Sequence, residues 1–336
     1  MKKQIMTVLA VKMILCLVIF ISSCSESPRY YVALGDSVSA GFGLIPEEES
    51  YPAVLYGLLE NDGFVDDYFN MAVSGYTTTM LLDYLNNFND EELKILKNSH
   101  IITLNIGGNN LVVPFLNYIS DLNITPVSDN IRSRIENIVL RSINLIYGVR
   151  LRGGSFIYDS VFGRTMLNDL VSSIGAILTR FGNEEMAANL HELYSILGGT
   201  LPPELRNEME KGIQTFSDEF VEIISWLKIN APKATIIVNT IYNPIPREAF
   251  GESLGLSIAT NMLIESMNYI IIRESLSGDF LVTDIYKHLS NRLDMMLFNF
   301  NPQAGNLSMD IIHPNAEGQK LIAELNYETL MQSILR

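Results

Sequence analysis

Apolar residues fall along this chain in two rhythms, short unbroken runs and longer stretches with helical spacing. The runs Tyr30–Leu34, Asp67–Val73, Ile101–Ile106, Ala234–Ile241 and Phe280–Ile285 have the length of strands and are rich in β-branched and aromatic residues. The spaced stretches predict helices over Tyr51–Asn61, Thr77–Leu85, Asp90–Asn98, Glu204–Asn230, Ser257–Leu276 and Asn315–Leu335. In the first of these, Pro52 opens the helix and Leu55, Leu58 and Leu59 share a face. Strands alternating with helices predict an α/β fold with a largely parallel sheet covered on both faces.

The alternation is interrupted once. More than a hundred residues separate the third strand from Ala234, where one crossover helix would suffice. Amphipathic patterns over 129–147, 164–181 and 184–197 predict a helical insertion at about residues 111–199. It leaves the sheet beside Gly107-Gly108-Asn109-Asn110, which reads as a loop. The insertion is either additional core or an apolar lid over a site at that edge.

The N-terminus carries a different pattern. Lys2, Lys3 and Lys12 precede the apolar run Met13–Ile21, which is too short to span a bilayer comfortably and reads as a secretory signal. Its end, Ile21-Ser22-Ser23-Cys24, resembles a bacterial lipoprotein cleavage box. Residues 1–23 are then removed, Cys24 is acylated, and residues 24–336 form a single domain held extracytoplasmically at a bacterial membrane. The other cysteine, Cys16, lies in the removed segment, so the mature chain has no disulfide. The formal net charge of −15 becomes more negative without that Lys-bearing segment. An acidic domain of this kind is a poor partner for nucleic acid.

The candidate chemistry sits where strands end. Ser37 follows the first strand, Gly75 the second and Asn109 the third, and Asp310-Ile311-Ile312-His313-Pro314 precedes the last helix. Parallel strands share one carboxyl edge, and open α/β sheets place their sites there. Gly35-Asp36-Ser37 by itself is also compatible with a plain turn in which Asp36 or Ser37 caps a helix. A serine hydroxyl becomes nucleophilic when a base takes its proton, and an imidazole does so when a carboxylate holds its other nitrogen. His313 and Asp310, three residues apart, can supply that pair. The backbone N–H groups of Ser37 and Gly75 and the Asn109 amide are candidate donors to an oxyanion. His313 must be neutral to act as base, so activity should fall in acid. A competing nucleophile is Ser253 in Gly251-Glu252-Ser253-Leu254-Gly255, although two prolines separate it from the preceding strand. None of His100, His191 and His288 has an Asp or Glu at metal-ligand spacing together with a second His, so a zinc site is not expected.

Gly35-Asp36-Ser37, Asn70 through Gly75, Gly107-Gly108-Asn109 and Asp310-x-x-His313-Pro resemble the four signature blocks of SGNH hydrolases, the GDSL esterases and lipases. The resemblance runs from about Tyr30 to the C-terminus outside the insertion. It implies a three-layer α/β/α, flavodoxin-like fold and hydrolysis of carboxylic esters without metal or cofactor. It makes Ser37 the nucleophile, His313 the base and Asp310 its orienter, with Ser37, Gly75 and Asn109 as oxyanion donors. Asn110 departs from the family, which more often has Asp there. The apolar insertion favours a lipidic acyl ester as substrate. The alternatives are a carbohydrate O-deacetylase and a non-catalytic substrate-binding lipoprotein.

Overall fold

The computed structural model describes residues 28–121, 201–244, 255–290 and 292–335, except positions 298, 302–305, 309 and 311. The expected signal 1–23, Cys24, Ser253, and the insertion helices expected within 129–197 lie outside the described residues.

Five parallel strands run in the order β2-β1-β3-β4-β5: β1 (Tyr30–Gly35), β2 (Asp67–Asn70), β3 (Ser99–Asn105), β4 (Thr235–Asn239) and β5 (Leu281–Thr283). Helices α1 (Ser37–Ala40) and α2 (Tyr51–Asn61) follow β1, and α3 (Thr78–Asn86) and α4 (Asp90–Lys97) follow β2. Helices α5 (Gly108–Asp121) and α6 (Pro203–Asn230) lie between β3 and β4, and α7 (Gly255–Ser275) joins β4 to β5. After β5 come α8 (Ile285–Leu289), the antiparallel hairpin of β6 (Asn299–Asn301) and β7 (Asn306–Ser308), and α9 (Ala316–Ile334). This is the flavodoxin-like strand order, in which β1 has its sequence successors on both sides and a crevice opens between the diverging loops.

The unbroken apolar character of β1 has a simple cause, since both faces of the sheet are covered. Val32 and Leu34 pack with Leu81, Leu85, Phe216 and Phe220 of α3 and α6. Their neighbours Tyr31 and Ala33 point to the other layer, against Tyr51, Leu55, Ile322 and Leu330 of α2 and α9. All four strand residues are fully buried. Among the described residues no helix is long and apolar enough to cross a membrane.

Three expectations are corrected. The second strand ends at Asn70, short of Val73, because the Asn70 side chain donates to Ser39 O (2.9 Å) and accepts from Ala72 N–H (3.2 Å). Met71 and Val73 nevertheless still donate to Ala33 O and Gly35 O of β1. The fifth strand stops before Asp284, whose carboxylate caps α8 through Lys287 N–H (3.1 Å). Gly108-Asn109-Asn110 is the first turn of α5 and not a loop, so the boundary expected at residue 111 falls inside a helix.

Candidate active site

Gly35 ends β1 with φ +133°, and a Cβ there would lie 2.0 Å from the Asn105 carbonyl oxygen. Only glycine fits, and the tight turn places Asp36 and Ser37 directly at the carboxyl edge. Asp36 caps the short helix α1 by accepting from Val38 N–H (3.0 Å), and its Oδ1 also takes the Asn105 amide (3.1 Å). Asn105, the last residue of β3, thus supports the turn through its side chain. Burial pushes the Asp36 carboxyl up to about 7, against those two hydrogen bonds. The carboxyl is thus committed to supporting the turn.

Ser37 and His313 lie 276 residues apart in sequence, and their side chains meet. His313 Nε2 is 2.8 Å from Ser37 Oγ, and His313 Nδ1 is 2.7 Å from Asp310 Oδ2. An ionised carboxylate can only accept, so Nδ1 carries the proton and Nε2 is left to accept from the Ser37 hydroxyl. The other Asp310 oxygen accepts the backbone N–H groups of Ile312 and His313, each at 3.0 Å. One carboxylate thus folds the turn and sets the imidazole tautomer.

The turn is held from outside as well. Leu297 N–H donates to His313 O (2.8 Å), and the Asn315 amide donates to Asp294 O and Met296 O. The buried Tyr242 hydroxyl donates to Ile312 O. Burial, with Asp36 and Asp310 nearby, raises that phenol well above its ordinary value, so it stays a donor. On the other side of the imidazole the Phe42 ring lies 4.5 Å away, centroid to centroid. Sequence reasoning did not single out Phe42 or the Leu297 clamp. The clamp leaves no sequence signal, because it is made by backbone atoms.

Gly75 lies in the loop after β2 and Asn109 in the first turn of α5 after β3, and these two strands flank β1. Gly75 is exposed at φ +86°, with open space where a side chain would be. The Asn109 amide donates to Tyr76 O (2.9 Å), which ties the start of α5 to the Gly75 loop. An amide nitrogen carries two hydrogens, so this bond orients the group without exhausting it.

The sequence pattern of the GDSL-like Lipase/Acylhydrolase family matches residues 31–326. Among solved structures the chain is similar to phospholipase A1 from Streptomyces albidoflavus NA297, at 15% identity, covering 90% of this chain and 100% of that one, with a TM-score of 0.48. It is similar to the extracellular lipase of Streptomyces rimosus at 16% identity, with 90% and 99% coverage and a TM-score of 0.49. A member of the lipolytic G-D-S-L family from Veillonella parvula DSM 2008 is 13% identical, with 90% and 98% coverage and a TM-score of 0.39. No curated protein matches the sequence.

Proposed function

The chain belongs to the GDSL-like lipase/acylhydrolase family, and from that premise we propose that it is a serine esterase cleaving carboxylic esters through an acyl-enzyme. The observation that carries this reading is the continuous Asp310–His313–Ser37 relay, at 2.7 and 2.8 Å. In it, Nε2 removes the Ser37 proton as Oγ attacks the ester carbonyl, and Asp310 stabilises the imidazolium that forms. The Ser37 and Gly75 N–H groups and the Asn109 amide receive the oxyanion. Collapse expels the alcohol, which takes the proton from Nε2. Water, activated by the same nitrogen, then releases the acid.

A lipidic acyl ester is favoured over an O-acetyl sugar by the surface next to the relay. Phe42 is 48% exposed with its ring 4.5 Å from the imidazole, centroid to centroid. An apolar ring in water beside the catalytic imidazole offers a contact for an acyl chain. Acylation of Cys24 and export to a membrane surface complete the proposal and rest on Lys2, Lys3, the run Met13–Ile21 and Ser22-Ser23-Cys24.

The test is hydrolysis of nitrophenyl acetate, butyrate and octanoate by a form starting at Ser25, alongside Ser37→Ala. Turnover rising with acyl length and abolished in the mutant is the expected result. Acetate alone as substrate would favour the deacetylase. Activity surviving in Ser37→Ala would move the nucleophile elsewhere, with Ser253 first in line. Ligand binding with neither turnover nor fluorophosphonate labelling would leave a binding lipoprotein.

A further inference from the structure

Asn110 is 4% exposed and makes three hydrogen bonds whose directions are fixed by their partners. Its Oδ1 accepts from Thr78 N–H at 3.1 Å, and a backbone N–H can only donate. Its Nδ2 faces Gly212 O at 3.4 Å, and a carbonyl can only accept. The same Nδ2 is 2.9 Å from Thr78 Oγ1. The Thr78 hydroxyl has one hydrogen, and the Glu219 carboxylate, 2.6 Å away, takes it. Glu219 also accepts from the Thr79 hydroxyl, at 2.8 and 2.9 Å. The Thr78 oxygen must therefore accept from position 110. The chain runs one way, from the Asn110 amide through Thr78 to Glu219.

We infer that Asn110 is a positioning residue for the oxyanion donors, and that Glu219 is what requires it to be an amide. The inference rests on reading Gly75 and Asn109 as those donors. The Gly75 loop is held at one end by Val73 N–H on Gly35 O (3.0 Å) and at the other by Thr78, where α3 begins. Asn110 fixes the Thr78 end to the helical turn that carries Asn109, and Asn109 in turn holds Tyr76 O in the middle of the loop. The spacing between a backbone donor on the Gly75 loop and a side-chain donor on the first turn of α5 thus depends on Asn110. A carboxylate at 110 would face the Gly212 carbonyl and leave Thr78 with one hydrogen for two carboxylates.

The test is a set of four proteins: wild type, Asn110→Asp, Glu219→Gln and the double variant. Asn110→Asp should lower kcat about tenfold to a hundredfold on nitrophenyl butyrate with KM within about threefold, because the oxyanion forms only in the transition state. Glu219→Gln alone should stay near wild type, since its amide oxygen still accepts from threonine. In the double variant Thr78 can donate to the carboxylate introduced at position 110 and accept from the amide introduced at position 219. There kcat should return to within about threefold of Glu219→Gln. A residue that only supports the fold would lose thermal stability without that recovery of kcat. An unchanged kcat in Asn110→Asp, or a loss that Glu219→Gln does not restore, overturns the inference. If Asn110→Asp does not fold, the double variant must still fold and turn over, and failure there also overturns it. A wild type that neither hydrolyses ester nor takes a fluorophosphonate at Ser37 instead refutes the proposed function, whereas a labelled, active wild type with an insensitive position 110 refutes this inference alone.

Discussion

Asp310→Asn separates the two tasks of one side chain. The amide keeps an oxygen for the Ile312 and His313 N–H groups at 3.0 Å, so the turn survives. Its NH₂, however, replaces the oxygen 2.7 Å from His313 Nδ1. It donates there, which forces the imidazole proton onto Nε2, pointing at Ser37 Oγ 2.8 Å away. A protonated Nε2 cannot act as base. In hydrolases with this relay the wrong tautomer lowers kcat by about 10⁴, or about 5 kcal/mol of transition-state stabilisation. Unfolding free energy should change by less than about 1 kcal/mol, because the hydrogen bonds of the turn are kept. Asp310→Ala removes all three acceptor contacts and should cost about 2–4 kcal/mol of stability besides the activity. Rates on nitrophenyl butyrate at pH 8, with thermal melts of the three proteins, make the comparison. Asp310→Asn retaining more than about a tenth of the wild-type kcat would refute the tautomer argument. Equal loss of stability in the two variants would refute the argument that the turn survives.

Asp36 predicts an unusual pH slope. Burial raises its carboxyl to about 7 in the folded chain, against about 3.9 for an exposed aspartate. Between those values the native state keeps a proton that the unfolded chain has released, so stability falls as pH rises through the window and levels off above it. The Tm of wild type minus that of Asp36→Asn should therefore decrease from pH 4.5 to 7.5, and a constant difference would contradict it. Gly212→Ala should destabilise despite alanine's better helix propensity, since its Cβ would come 2.1 Å from the Asn110 carbonyl oxygen. A melt showing a gain in stability would mean that α5 and α6 are not in backbone contact there.

Much of the fold is legible in the chain because local periodicity reports burial. A strand covered on both faces reads as an unbroken apolar run, which is why β1 and β3 can be placed from sequence, as can helices such as Tyr51–Asn61. Where local polar chemistry overrides periodicity the boundaries slip, as at Asn70 and Asp284. The hairpin of β6 and β7 lies in no strong apolar pattern, so the chain carries no strand signal there. The candidate site divides the same way. Ser37, Gly75, Asn109, Asp310 and His313 can be picked out as candidates because their residue types stand at the ends of predicted elements.

Contacts between remote segments are another matter. Spacing already offers Asp310 as the partner of His313 and Asp36 as a cap, but the meeting of that pair with Ser37, 276 residues away, is set by the fold. The same holds for Tyr242 on the His313 turn, Phe42 on the imidazole, and the one-way chain from Asn110 to Glu219. Residue types and spacing by themselves determined an α/β chain with a hydroxyl, an amide and an imidazole at the ends of its elements. Tertiary structure decided which remote groups meet, because a hydrogen bond depends on distance and direction in space, and packing between remote segments sets both.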